Sequence, residues 1–217
     1  AQVRQLLRRI HLTALDFSPE LSPDERLPEA SITKVMTMLL VMEAEAQSAQ
    51  ARIVCTNLPT STPATWPTPF CFTRQEEENT DYQIAPRIKH YLYEPNSVLM
   101  KAGAFRIVAA HYGVEKLHPN SHLYTSDQWI KKFPGRSFEV IEYGGFGKRE
   151  IKELLGSVKK ANLTVRNFPN SVADLRKRLK LPEGGDDYLF ATTLAKEEKV
   201  WILCRKATEG EGKGTNA

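Results

Sequence analysis

Glycine is missing from the first 102 residues of this 217-residue chain. A loop that wraps the phosphates of a nucleotide cofactor needs glycine, because only glycine lets the backbone come that close. The three cysteines, Cys55, Cys71 and Cys204, are too few and too far apart for a disulfide framework or a zinc pattern. No apolar run reaches the length of about 18 residues that predicts a membrane-spanning helix. We therefore expect a cytoplasmic protein with no bound metal and no membrane segment.

The overall charge is only mildly biased. The formal net charge is +4, the pI is about 8.9 and 41% of the residues are hydrophobic. A chain of this length can bury a core as one large or two small domains. The basic bias is compatible with nucleic-acid binding without requiring it.

The most informative stretch is residues 91–113. Tyr91 to Tyr93 has the aromatic content of a strand, which Pro95 should end because proline has no N–H to donate. Asn96 or Ser97 is a suitable N-cap for a helix with apolar residues at helical spacing that runs to Gly113. A strand followed by a one-sided helix is half of an α/β layer. Before it, residues 52–58 and 70–73 have strand character, and the acidic run at 75–81 predicts an exposed turn.

After this stretch the pattern alternates between strands and helices. We predict strands at residues 122–125, 137–143 and 162–168, a helical turn at 127–133, a glycine turn at 144–147 and a helix at 148–160. Ser171, with Asp174 three residues on, predicts the start of another helix. Residues 188–194 and 199–206 predict a hairpin, and the glycine-rich tail at 208–217 predicts disorder.

Five segments resemble the C-terminal half of a bacterial family of class I S-adenosylmethionine-dependent methyltransferases. In that family a catalytic domain is followed by a ferredoxin-like and a small THUMP-like domain, a type associated with RNA. The segments are residues 91–113, 116–126, 133–140, 159–169 and 186–194. The resemblance covers residues 51–206 and lacks the catalytic domain.

The resemblance implies an α/β (α+β) fold of two small layered domains. We expect an N-terminal helical segment and linker at residues 1–50, a ferredoxin-like domain at 51–136 and a THUMP-like domain at 137–207. It also implies that the chain is an accessory region that holds tRNA or rRNA for its own catalytic domain. S-adenosylmethionine would then bind to the parent protein, and this chain would hold no cofactor and have no catalytic residue.

A cluster of basic residues is the best candidate for an RNA-binding surface. On one face, such side chains would neutralise several phosphates, whereas paired with acids they would form an ordinary solvated surface. Lys148, Arg149 and Lys152 extend the cluster toward the N-terminus. Its members are Lys159, Lys160, Arg166, Arg176, Lys177, Arg178 and Lys180.

A different function is suggested by residues 26–44. They resemble the nucleophile helix of penicillin-binding D-alanyl-D-alanine carboxypeptidases, in which a Ser-x-x-Lys pair places the lysine beside the serine that attacks the substrate. The pair here is Ser31 and Lys34. The Ser-x-Asn and Lys-Thr-Gly elements that complete such a site are absent. The same residues also fit an amphipathic helix with Ser31 as its N-cap. A protein–protein docking module is the third alternative.

Overall fold

A computed structural model describes residues 39–43, 52–56, 69–156 and 158–207. The chain divides into two compact units, residues 1–74 and residues 75–217. None of the helices in these described ranges is long and apolar enough to cross a bilayer.

The described part of the first unit is a three-stranded antiparallel sheet. Its strands β1 (Leu39–Glu43), β2 (Arg52–Thr56) and β3 (Phe70–Thr73) follow one another in space as they do in sequence. The helix expected over residues 26–44 is therefore wrong at its C-terminal end, where β1 pairs with β2. A short run of large apolar residues fits a buried strand as well as a helix, and strand pairing decides between them here.

The second unit is built on one seven-stranded sheet. Helix α1 (Arg74–Asn79) begins at the boundary between the units, where an exposed turn was expected. The strands are β4 (Tyr91–Pro95), β5 (Glu115–His118), β6 (Ser121–Ser126), β7 (Gly135–Gly145), β8 (Asn162–Val165), β9 (Asp187–Thr193) and β10 (Lys199–Lys206). Their order is β5-β6-β4-β7-β10-β9-β8, and all pairs are antiparallel except β8 with β9. The predicted mixed α/β class is confirmed, with one sheet running through the regions expected to form two domains.

The helix expected after β4 is two short helices. Asn96 caps α2 (Ser97–Ala102) by accepting a hydrogen bond from the Leu99 N–H, as predicted. Gly103 then adopts a left-handed conformation with φ of 79° and ends the helix. A second helix, α3 (Arg106–Tyr112), follows and ends at the predicted left-handed Gly113. The break falls at Gly103 because glycine enters this conformation without a steric penalty.

The second half of the unit differs from its prediction mainly in the length of its elements. Gly144 and Gly145 are the last residues of β7, opposite Trp201 and Val200 of β10, and not part of a turn. Helix α4 (Lys148–Leu154) is half as long as expected, and no helix forms at residues 127–133. Helix α5 (Val172–Leu179) begins with the predicted capping box of Ser171 and Asp174. The hairpin of β9 and β10 is confirmed.

Strand β10 is buried on both faces. Val200, Ile202 and Cys204 pack into a core on one side of the sheet. Trp201 and Leu203 point the other way, into a second core beneath α4 and α5. Because side chains alternate along a strand, one apolar segment supplies both cores.

The sheet curls until its two ends meet. Strands β6 and β9 are four positions apart, which is about 19 Å in a flat sheet. The Ser121 and Thr192 hydroxyl oxygens of these strands nevertheless lie 3.1 Å apart. His118, at the end of β5, is 3.0 Å from Glu197 in the turn between β9 and β10. Polar side chains thus close the sheet where no backbone ladder does.

Candidate nucleic-acid interface

An open groove of about 570 Å³ lies between α4 and α5. The apolar part of its lining, which we call the floor, includes Ile151, Leu155 and Val158. Five of its lining residues are cations, and none of the lining residues is an acid. The cations are Lys148, Lys152, Lys159, Arg178 and Lys180. We call this feature the basic groove.

The two helices present their cations because their apolar residues face the second core. Ile151 and Leu154 of α4 are buried, which leaves Lys148 and Lys152 exposed on the same side of that helix. In α5, Leu175 is buried and Arg178 is exposed. The helical spacing of the apolar residues therefore also sets the spacing of the charges.

Lys180 has an unusual backbone at the rim of the basic groove. It is the C-cap of α5 and has a left-handed conformation with φ of 52°. A residue with a Cβ atom adopts this conformation at a cost of about 1 kcal/mol, and glycine commonly occupies such a position. The chain thus carries an exposed lysine at a place where glycine would be less strained.

Arg178 lies at the end of a column of stacked side chains. Its guanidinium carbon is 4.4 Å from the centre of the Phe146 ring. Phe146 in turn stacks on Trp201, with ring centres 5.1 Å apart and an angle of 21° between the planes. Trp201 is only 1% exposed. The arginine is therefore supported by a ring that rests on the buried core.

The other four predicted RNA-binding residues lie outside the groove lining. They are Lys160, Arg166, Arg176 and Lys177. Lys160 extends over Gly185, where a Cβ atom would lie 3.0 Å from its side chain. Arg176 lies 3.5 Å from the Glu183 carboxylate and is half-buried. Lys177 is exposed on α5 and does not line the groove. Of the possible extensions, Lys148 and Lys152 line the groove, whereas Arg149 pairs with Glu153 at 2.9 Å.

Arg166 belongs to an ion-pair cluster built around one buried carboxylate. Its Nη2 is 2.6 Å from Oε1 of Glu94, a residue that is 2% exposed. Arg136 donates to the other oxygen of the same carboxylate. The contact of Arg166 with Oε1 is an ion pair, and neither this oxygen nor the Arg166 Nε has a hydrogen-bond partner among the described residues. We call Glu94, Arg136 and Arg166 the interior cluster.

Two basic residues of the second unit that belong to neither the groove nor the interior cluster have lowered pKa values. Burial, and then the charges of Lys116 and Arg166, lower the pKa of His122 to about 4. Its ring stacks on Phe105 with a centre-to-centre distance of 3.8 Å. Burial also lowers the pKa of Lys116 to about 8, against an opposing effect of the Glu77 charge. Both shifts have the same main cause, because burial disfavours the charged form of a basic group.

The other chemically active side chains form no second site in the described part of the chain. His118 contacts Glu197 and Asn167, whereas His122 stacks on Phe105. No group of three potential metal ligands is found among the described residues. Ser31 and Lys34, and the tail expected to be disordered, lie outside them.

Sequence reasoning overlooked two features of this surface. The stack of Phe146 on Trp201 joins residues far apart in the chain, so no local pattern indicates it. The partners of Arg166 were also overlooked. Glu94, an acid that directly follows the aromatic strand residues, was the available clue that a cation must lie nearby, because a buried carboxylate needs a partner.

Two family models match the second unit. Residues 91–134 match a ferredoxin-like domain, and residues 135–206 match a THUMP domain-like family. The two matched regions meet at the start of β7, and β7 pairs with β4 of the first region and with β10 of the second. The chain therefore contains ferredoxin-like and THUMP-like regions joined through one sheet.

A solved structure resembles most of this chain. It is the crystal structure of a "putative methyltransferase" from Porphyromonas gingivalis W83, with 42% sequence identity and a TM-score of 0.68. The alignment covers 74% of this chain and 39% of that one, so the match spans about two fifths of the larger protein. No protein with a curated description matches. These findings support an association with methyltransferases.

Proposed function

We propose that this chain is the RNA-binding accessory region of an S-adenosylmethionine-dependent RNA methyltransferase, with tRNA or rRNA as its substrate. The basic groove is the observation that carries this proposal. The THUMP-like region and the likeness to the P. gingivalis protein support it. Charge and concave shape occur together at the groove, as a polyanion site requires.

The lysines of the groove would act by neutralising phosphates. Each phosphate that they contact releases condensed counterions, so the affinity falls as salt rises. If all five groove cations contacted a single strand, the slope of log K against log salt would be about −3.5. The apolar floor would exclude water beneath the bound strand.

The transfer of the methyl group would fall to another domain of the parent protein. Gly144 and Gly145, the nearest approach to a glycine-rich phosphate loop, pair in the ladder with β10. Their backbone groups are therefore not free to surround a pyrophosphate. We expect that this chain alone retains no labelled S-adenosylmethionine in a filter-binding assay.

The proposal is tested by binding of fluorescently labelled tRNA and rRNA fragments to the full 217-residue chain. The test variant carries Lys148→Glu, Lys152→Glu and Lys159→Glu. The matched control carries Lys101→Glu, Lys131→Glu and Lys196→Glu, three exposed lysines outside the groove. Both variants change the net charge by the same amount.

We expect the groove variant to lose about tenfold or more in affinity near 0.1 M salt, and the control to lose much less. Equal losses would mean that RNA binds through net charge alone. If the unaltered chain binds no RNA, the docking-module alternative is favoured.

A further inference from the structure

We infer that Arg178 is a stacking platform for an unpaired nucleobase in the basic groove. This inference rests on the proposed RNA-binding function and names the form of RNA that the groove recognises. It follows from three features of the structure: the support beneath the arginine, the free side of its guanidinium group and the apolar floor beside it.

The support is the column of Trp201, Phe146 and Arg178. Trp201 is fixed in the second core, and Phe146 also contacts Phe168 with ring centres 4.8 Å apart. The guanidinium group thus rests on a ring that is itself held on two sides. A platform that is already ordered loses little conformational entropy when a ligand stacks on it.

The opposite face of the guanidinium group is available to a ligand. Arg178 is exposed and lines the groove. In the described part of the chain it contacts the Phe146 ring and donates a hydrogen bond to the Phe146 carbonyl oxygen at 3.5 Å. No carboxylate in that part of the chain pairs with it. One side of the guanidinium group therefore lies over the Phe146 ring, and the rest of this exposed side chain lines the groove.

The floor of the groove favours single-stranded over double-stranded RNA. Ile151, Leu155 and Val158 offer apolar surface next to the lysines. A duplex keeps its bases stacked inside and presents phosphates and riboses, so it would leave this surface unused. An unpaired strand can place phosphates against the lysines and a base against the arginine plane. The lysines supply point charges for the phosphates, and Arg178 supplies a planar cation for a base, so the groove suits a single strand.

The experiment compares three RNA ligands of equal length on the full chain. They are oligo(A), an abasic strand with the same number of phosphates and a duplex. The test variant is Arg178→Lys, which keeps the positive charge but removes the plane. The control is Lys131→Arg, which makes a charge-conserving exchange at an exposed lysine outside the groove.

We expect the unaltered chain to bind oligo(A) about fivefold or more tightly than the abasic strand, the range for one stacked base. In Arg178→Lys this ratio should fall toward one while affinity for the abasic strand stays the same, and Lys131→Arg should keep the ratio. An unchanged ratio in Arg178→Lys, or equal binding of all three ligands by the unaltered chain, overturns the inference alone. Absence of all RNA binding overturns the proposed function as well.

Discussion

The basic groove and the interior cluster use the same residue types in opposite ways. Lys148, Lys152 and Lys159 are exposed and line a groove without acids. Arg166 and Arg136 share one buried carboxylate, that of Glu94. In the basic groove the positive charge is available to a ligand. In the interior cluster it is paired with a carboxylate and stabilises the fold. Position in the fold, and not charge count, separates the two roles.

The interior cluster also connects the two matched regions. Glu94 lies in the ferredoxin-like region, and both of its arginines lie in the THUMP-like region. His118 and Ser121 contact residues of the THUMP-like region as well. We therefore expect residues 75–207 to unfold as one cooperative unit, although two family models describe them.

The largest predicted effect follows from removing the shared carboxylate. Glu94→Gln should lower the free energy of unfolding by about 2–3 kcal/mol, because it removes the buried carboxylate charge that two partly exposed arginines contact. Urea denaturation at pH 7 measures this loss. Glu153→Gln is the control, since its exposed pair with Arg149 should contribute no more than about 0.5 kcal/mol. A loss below about 1 kcal/mol for Glu94→Gln would show that the cluster does not stabilise the unit.

A smaller loss in the free energy of unfolding should appear at acidic pH. The pKa of His122 is about 4 in the folded state, below the usual 6.5. The unfolded chain therefore binds more protons between these values, so stability falls as the pH drops from 6.5 to 4. This histidine should account for a loss of about 2 kcal/mol by pH 4.5.

The contribution of His122 is isolated by comparing the chain with His122→Phe, which keeps the ring stacked on Phe105. Urea denaturation at pH 7.5 and pH 4.5 should show a smaller acid loss in the variant. If both proteins lose the same stability, the pKa of His122 is not lowered by the interior of the fold.

The smallest predicted effect has opposite signs for stability and binding. Lys180→Gly should raise the free energy of unfolding by about 0.5–1 kcal/mol, because glycine relieves the left-handed strain at the C-cap of α5. The same change should weaken RNA binding, because it removes a groove cation. Thermal unfolding and RNA titration of the same preparation check both signs. Stabilisation without any loss of affinity would exclude Lys180 from the binding surface.

Local patterns were enough to predict many elements of the second unit. Ser171 and Asp174 specify a helix start through contacts three residues apart, and Gly113 specifies a helix end. The apolar runs of β9 and β10, separated by the polar turn at residues 196–198, predict the hairpin. In each case the determining interactions lie within a few residues of each other, so the sequence order reveals them.

What the sequence did not predict depends on contacts between distant segments. Residues 39–43 form a strand because β2 pairs with them. The single sheet exists because β7 pairs on one side with β4 and on the other with β10. Arg166 was grouped with the RNA-binding residues because its partner, Glu94, is 72 positions earlier in the chain. Only the folded structure shows which cations already have a counterion.

The most direct test of the difference between the two regions is the salt dependence of RNA binding in Lys159→Gln and Arg166→Gln. Each substitution removes one positive charge, and each can be compared with the unaltered chain from about 50 to 200 mM salt. We predict that Lys159→Gln makes the slope of log K against log salt shallower by about 0.7. Arg166→Gln should leave the slope unchanged and lower the free energy of unfolding instead. A shallower slope in Arg166→Gln with none in Lys159→Gln would contradict the assignment of RNA binding to the basic groove.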